Sequence, residues 1–187
     1  MSESESPAVE SRHAAADHAG QRAAGTPADG HYSLDLEQTS LRFRAKAFLL
    51  KWVRGTMRPV SGAVAVSGET FHGAGIADAR TVNTKLKLRD WHLRHSHYLH
   101  AAKYPEIRFA VDHARVGAPE AEARLEARKG AVTFPITVDE MRVDGDVLRI
   151  KASGSFDRRP LGMLPPLAGV SRMVDLELDI VARRKSA

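Results

Sequence analysis

The sequence predicts an all-β protein, an antiparallel sheet of about eight strands that closes into a barrel or folds into a sandwich. Beyond residue 30, apolar and charged residues alternate with a period of two, which gives each strand one apolar and one solvent-facing side. Turn residues separate these segments. The regular succession of strands and long helices that a parallel sheet requires is absent from the sequence. A short helical insertion is predicted near residues 86–100.

The alternating segments follow one another closely along the chain. The sequences Ser67-Gly68 and Asp144-Gly145 predict hairpin turns, and Arg58-Pro59 predicts a kinked or interrupted strand. Residues 121–129 have a composition that also suits a helix, but their position between two strong strands favours a strand. The predicted strands lie in residues 31–37, 41–47, 52–67, 71–84, 107–116, 121–129, 132–138, 148–154 and 174–180.

Two segments depart from the strand pattern. Between residues 86 and 99 the apolar residues do not alternate, and Pro105 ends the segment, so we predict a helix there. The loop at residues 158–166 contains three prolines. For this loop we predict a short helix or an extended cover.

The chain is predicted to consist of one domain and a tail. Residues 1–29 are rich in Ser, Ala, Glu, Gly and Pro without an apolar period, which is typical of disorder. Residues 30–187 would form the barrel. The chain begins with an acidic segment that no apolar stretch follows, and no run is long enough to span a membrane. We therefore expect a cytoplasmic protein.

Charge and composition restrict the class of partner. The net charge is +5, and residues 1–29 are acidic, so the remainder is more basic than the whole chain. A basic body favours anionic partners such as phosphate head groups or a transient membrane-surface contact, but it also serves solubility. Nucleic acid is disfavoured, because aromatic residues make up only 6% of the chain and do not interleave with the basic runs.

The insertion and its flanks carry a specific motif. Arg89-Asp90-x-His92-Leu93 is followed by Tyr104-Pro105-x-Ile107-x-Phe109. Further matching residues are Tyr32-x-Leu34-Asp35, Thr39, Ser61-Gly62, Asn83-Thr84, Phe156-x-Arg158, Leu161-Gly162-Met163 and Val174-x-Leu176-x-Leu178. From about residue 32 to residue 181 the sequence resembles the YceI-like family of lipocalin-like, polyisoprenoid-binding domains.

The resemblance implies a barrel with an apolar tunnel that binds or carries a long isoprenoid lipid, including isoprenoid quinones. It also implies a homodimer, and no cofactor apart from the lipid ligand. From the residues alone, a packed core is the simpler explanation of the inward apolar faces. With the resemblance they become the lining of a tunnel. These candidate ligand-binding residues are Phe43, Phe109, Phe134, Ile136, Leu148, Ile150 and Leu178.

Polar candidates for the ligand's head group lie in two places. Arg89 or His92 would meet a diphosphate or quinone head, with Asp90 orienting them. The alternative is structural, with Asp90 capping the helix and pairing with a neighbouring arginine. Arg158, in the late loop, is a second candidate for an anionic head.

The sequence favours neither a metal site nor a catalytic site. His92, His95, His97 and His100 cluster in the insertion, but no HExxH pattern or suitably spaced carboxylate completes a zinc shell. Cysteine is absent, and no nucleophile motif occurs. Two other classes of function remain open: an isoprenoid-modifying or stress-related enzyme using His92 beside Asp90, and a basic scaffold with a filled barrel.

Overall fold

The computed structural model of the chain describes residues 26–47, 51–163 and 170–185. Most of the predicted tail (residues 1–25) and part of the proline-containing loop (residues 164–169) lie outside the described residues. The described part holds nine strands, one α-helix and a 3₁₀ turn. The strands are β1 (Gly30–Leu34), β2 (Ser40–Ala47), β3 (Lys51–Ser67), β4 (Thr70–Asn83), β5 (Glu106–Arg115), β6 (Glu120–Ala127), β7 (Gly130–Asp144), β8 (Val147–Asp157) and β9 (Val170–Arg184).

The nine strands occupy eight positions around a closed barrel. Their order is β1-β3-β2-β9-β8-β7-β6-β5-β4, and β3 also pairs with β4. Both β1 and β2 lie between β3 and β9: β1 pairs with the second half of β3, and β2 with the first half. The neighbouring strands are antiparallel. The structure therefore confirms the all-β, antiparallel barrel of about eight strands.

Strand β3 is continuous through the predicted break at Pro59. Its pairing with β4 shifts register on both sides of this proline, between Thr56 and Arg58 and again between Pro59 and Ser61. Proline cannot donate a ladder hydrogen bond, and such irregularities accommodate it within a sheet. The ambiguous segment near residue 125 is strand β6, and both predicted hairpins are present, with Gly68 and Gly145 each at φ 57°.

The helical insertion is confirmed, and its helix is shorter than the sequence suggested. Helix α1 spans Lys87–Arg94, and turns carry the chain from His95 to Lys103. Within these turns the amide of Leu99 donates to the carbonyl of Leu93 at 2.9 Å. Leu99 and Ala101 are buried in a small apolar cluster with Val82. The turns beyond the helix therefore place both side chains in this cluster.

The two ends of the barrel differ. At one end lie the β3–β4, β5–β6 and β7–β8 turns and the start of β1, and here Tyr32, Leu148 and Ala182 are 1%, 0% and 0% exposed. We call this the closed end. The Tyr32 hydroxyl donates to the carbonyl of Ala28 at 2.8 Å, so the last residues of the predicted tail contact the barrel.

The opposite end carries the larger connections. It holds the end of β2 and the start of β3, helix α1 after β4, and a 3₁₀ turn, Arg159–Leu161, after β8. We call it the open end. The 3₁₀ turn agrees with the short helix that was one of two predictions for the proline-containing loop.

Candidate functional site

A cavity of ≈ 900 Å³ fills the middle of the barrel and reaches its open end. An eight-stranded barrel is just wide enough either to be filled by side chains or to hold one small ligand. Here the inward positions include small residues, among them the buried Ala45, Ala77, Ala127 and Ala152. These methyl groups do not reach across the barrel, so the described residues leave an apolar space in its centre.

The structure brings five of the seven predicted apolar residues to the cavity wall. Phe134 and Leu148 belong instead to the packed core. Phe134 packs against Phe156, with ring centroids 5.2 Å apart, and Leu148 is fully buried at the closed end. The five that line the cavity are Phe43, Phe109, Ile136, Ile150 and Leu178.

A cap of non-strand residues covers part of the open end. Leu93 and Tyr98 from the insertion, with Leu161 and Met163 from the 3₁₀ region, line the cavity. Arg128 ties the two parts together, since its guanidinium donates to the carbonyls of Tyr98 at 2.9 Å and Gly162 at 2.6 Å. Sequence reasoning missed these cap residues, because apolar residues outside the alternating segments gave no periodic signal.

The insertion is joined to strand β4 by a buried polar network. Asp90 is 7% exposed and accepts a hydrogen bond from the backbone amide of Thr84 at 2.7 Å and another from its hydroxyl. The Thr84 hydroxyl in turn accepts from Arg89 Nε at 2.7 Å, and Arg89 Nη2 donates to the Thr84 carbonyl at 2.7 Å. Arg89 lines the cavity. Asp90 therefore orients Arg89 through Thr84, a residue that sequence reasoning did not select as part of the site.

Asp90 and His92 do not act as a pair. Asp90 is buried against Thr84, whereas His92 is exposed and lines the cavity mouth. Residues two apart on a helix face different directions. Leu86, and not Asp90, stands at the N-cap position of α1.

The other histidines of the insertion are not arranged on one helix. His95 is the C-cap of α1, and His97 and His100 lie in the turns beyond it. The Trp91 ring contacts the rings of His92 and His95, with centroids 4.9 and 4.1 Å apart. Among the described residues, no group of three or more His, Cys, Asp or Glu side chains could hold a metal ion.

Arg158 is a buried cation at the open end. It is 3% exposed and lines the cavity, and its Nε donates to the carbonyl of Ser171 at 3.1 Å. Its guanidinium carbon lies 5.9 Å from the centroid of the Tyr98 ring. Burial lowers the pKa of Arg158, yet a guanidinium keeps its proton at physiological pH. The structure thus places a fixed positive charge beside an apolar cavity.

Two glycines allow the close approaches that shape the open end. A Cβ at Gly55 would overlap the ring of Phe43 and come within 2.9 Å of Thr84 Cγ2. A Cβ at Gly130 would overlap the carbonyl oxygen of Pro160. The first glycine lets Phe43 lie across β3 towards the cavity, and the second lets the 3₁₀ turn pack against the start of β7.

No helix in the part of the chain described by the structure is long and apolar enough to cross a membrane.

The chain is similar to several known proteins. Protein YceI of Escherichia coli O157:H7 is 22% identical over 169 residues, covering 84% of this chain and 88% of that protein. Protein YceI of Shigella flexneri is 21% identical over 169 residues, with the same coverage.

Solved structures share the fold at low sequence identity. BcnA of Burkholderia cenocepacia superposes with a TM-score of 0.64 at 15% identity, covering 79% of this chain and 98% of that one. A polyisoprenoid binding domain from Saccharophagus degradans superposes with a TM-score of 0.62 at 14% identity, covering 82% and 98%. Both likenesses concern the fold. The model of the YceI-like domain matches residues 32–182, and the chain therefore belongs to the YceI-like family.

Proposed function

We propose that this protein binds and carries one isoprenoid-type lipid, a polyisoprenoid or an isoprenoid quinone. The tail would occupy the barrel cavity, and the head would lie at the open end beside Arg89, His92 and Arg158. The observation that carries the proposal is the apolar cavity of ≈ 900 Å³ inside a closed barrel, with these cationic and imidazole side chains at its mouth. The family membership and the fold shared with a polyisoprenoid binding domain support it.

The volume suits a lipid tail of moderate length. With a volume of about 30 Å³ for each water-sized heavy atom, the cavity has room for about 30 such atoms, or roughly six isoprene units. Each buried CH₂ contributes ~0.8 kcal/mol, so about 30 buried groups contribute roughly 24 kcal/mol. After an association cost of about 4–15 kcal/mol, this exceeds the ~8 kcal/mol of a micromolar complex. A longer chain would project from the open end.

Two arginines at the open end are held in place by hydrogen bonds to the protein, which makes them candidates to bind the head group. Arg89 is fixed by Thr84, and Arg158 by the carbonyls of β9, so both guanidinium groups are oriented before a ligand arrives. Such preorganisation lowers the entropy lost on binding. An anionic head such as a diphosphate would gain charge-assisted hydrogen bonds there.

The first test is native mass spectrometry of the freshly purified protein, followed by organic extraction and identification of any lipid. We expect a bound species of isoprenoid mass, either from purification or after incubation with polyprenyl phosphates and quinones. A protein that stays empty in both cases contradicts the proposal.

A cavity-filling variant locates the ligand. In Ala152→Phe the new ring would project into the cavity that Ala152 lines, so ligand occupancy should fall while the barrel stays folded. Thr137→Phe adds the same ring at an exposed position of β7 and is the control. Equal occupancy in both variants places the ligand outside the barrel.

We propose binding and not catalysis. His92→Ala should retain ligand occupancy and release an unmodified lipid, because His92 is not paired with Asp90. A chemically altered lipid that is lost in His92→Ala indicates an enzyme instead. The filled-barrel scaffold is disfavoured by the cavity itself. The cytoplasmic location and the homodimer stay predictions, which cell fractionation and sedimentation can test.

A further inference from the structure

The large apolar side chains that remain exposed are concentrated at the open end. Seven such residues are at least 38% exposed in the described part of the chain, and five of them lie there. We call these five the open-end patch: Trp52, Leu86, Leu88, Trp91 and Met173, which are 44%, 53%, 65%, 52% and 38% exposed. Both tryptophans of the chain belong to the patch. Tryptophan is enriched where an apolar phase meets water, at membrane interfaces in particular.

Topology places the members of the patch at one end of the barrel. Leu86, Leu88 and Trp91 belong to α1 and its N-cap, directly after β4. Trp52 is the second residue of β3 and pairs with Lys46 near the end of β2, and Met173 pairs with Asp157 at the end of β8. Leu86 and Leu88 also line the cavity. The patch therefore lies at the open end, and two of its members stand at the opening through which a lipid tail would pass.

Lysines and arginines outnumber acids in the segments that carry the patch. Residues 79–105 contain six Lys and Arg and a single acid, Asp90, which is buried against Thr84. Residues 40–58, which include β2 and the first half of β3, contain six Lys and Arg and no acid. The exposed Lys85 and Lys87 alternate with Leu86 and Leu88 along the chain.

The remaining acids at the open end are paired with arginines: Asp78 with Arg80, Glu106 with Arg108 and Glu126 with Arg124. Arg44 and Lys46 lie 4.9 and 5.1 Å from the Trp52 ring centroid. Asp157 and Asp175 are paired with Arg159 and Arg44 respectively. A surface that combines exposed apolar side chains with unneutralised lysines is complementary to an anionic lipid bilayer.

We propose that the open end docks on an anionic phospholipid membrane, with the open-end patch inserted among the head groups and Lys85 and Lys87 on lipid phosphates. Docking turns the cavity mouth towards the bilayer, so a lipid passes between bilayer and barrel without crossing water. The docking does not depend on the proposed ligand. Only the lipid-transfer measurement below rests on the proposed function.

The test uses co-sedimentation with phosphatidylcholine vesicles that contain phosphatidylglycerol, against vesicles of phosphatidylcholine alone. The wild type should sediment with the anionic vesicles at low salt and be released by molar salt, because the screening length shortens. Lys85→Gln/Lys87→Gln/Trp91→Ser should lower the partition coefficient more than tenfold, since each lysine near an anionic surface contributes about fivefold.

The matched control removes the same kinds of side chain elsewhere. Arg149→Gln/Lys185→Gln/Leu36→Ser takes two exposed cations and one exposed apolar residue from other parts of the barrel. It should bind vesicles as the wild type does. Equal binding to both vesicle types, no effect of the open-end variant, or an equal loss in the control overturns the proposal.

A separate fluorescence measurement tests whether the open-end patch enters the membrane. Trp52→Phe leaves Trp91 as the sole fluorophore, and its emission should shift to the blue on anionic vesicles. If the protein sediments with the vesicles but the Trp91 emission does not shift, the contact is through charge alone, and the patch does not enter the membrane. If the protein binds a single-stranded oligonucleotide at the same salt and not the vesicles, the surface belongs to a nucleic acid and the proposal fails.

Docking and ligand binding are separable. Native mass spectrometry in detergent should show the open-end variant loaded like the wild type, because Lys85, Lys87 and Trp91 do not line the cavity. Transfer of lipid from anionic vesicles should then be slower in the variant alone. An empty wild type that still sediments rejects the proposed ligand and leaves docking standing.

Discussion

The closed and open ends of this barrel are built from the same alternating strands, but the interior is filled at the closed end and contains a cavity towards the open end. At the closed end, Tyr32 and Leu148 fill the barrel and are 1% and 0% exposed. Towards the open end, alanines such as Ala45 and Ala152 occupy the inward positions, and a cavity of ≈ 900 Å³ results. Both sets of residues are apolar. The two ends therefore differ in how completely the facing side chains together fill the interior, although the residues are apolar at both ends.

The strongest test of this contrast is a matched pair of truncations. Leu148→Ala should cost ~2–5 kcal/mol in the free energy of unfolding, because it opens a void in a packed region. Leu178→Ala, at a residue that already lines the cavity, should cost less, since it loses burial but creates little new void. Urea denaturation of both lipid-free variants measures the difference. If both variants lose the same free energy of unfolding, the interior is not divided into a packed closed end and a cavity.

A second test concerns the packing of the open-end cap. Gly130→Ala places a Cβ on the carbonyl of Pro160, so β7 and the 3₁₀ turn must separate, at ~1–3 kcal/mol. Gly73→Ala is the control, since no atom lies within 4 Å of its Cβ position. It should be neutral or slightly stabilising, because glycine weakens a strand interior. A stability for Gly130→Ala equal to that of Gly73→Ala means that the cap does not pack there.

The polar network between β4 and α1 gives a smaller effect. Thr84→Val removes the hydroxyl that donates to Asp90 and accepts from Arg89, which leaves a buried carboxylate with one donor fewer. We expect a loss of ~1–2 kcal/mol in the free energy of unfolding, together with weaker ligand binding because Arg89 is no longer fixed. Thr137→Val, at an exposed position, should change neither quantity. Unchanged ligand affinity in Thr84→Val would show that the network supports the fold alone.

The smallest effect is the acid dependence of the 3₁₀ turn. The Arg159 guanidinium, and then its backbone amide, lower the pKa of Asp157 from 3.8 to about 2. The pair therefore stabilises the fold above pH 3.8, and this contribution is lost as the pH falls through about 2. Asp157→Asn should be less stable than the wild type at neutral pH, and the two should converge in acid. Unfolding followed by circular dichroism across this range measures it, and a constant difference contradicts the assignment.

The strands were predictable because their signal is local. The alternation around Phe43 and Leu178, and the hairpin at Asp144-Gly145, are properties of neighbouring residues, and the structure contains the corresponding strands and turn. The end of α1 was not predictable from the sequence, because it depends on the burial of Leu99 with Val82, a contact that no local pattern reveals. The pairing of Asp90 with Thr84 was missed for the same reason.

By itself the sequence determined the antiparallel strands, the place of the helical insertion and the motif that associates the chain with a family, because each depends on residues close together in the chain. The choice between a barrel and a sandwich came from the family resemblance. Only the tertiary structure decided which apolar residues meet a cavity and which fill the core. Phe109 and Phe134 look alike in the sequence, yet one lines the cavity and the other packs against Phe156. The physical reason is that empty volume depends on all the side chains facing a point, and these come from strands far apart in the chain.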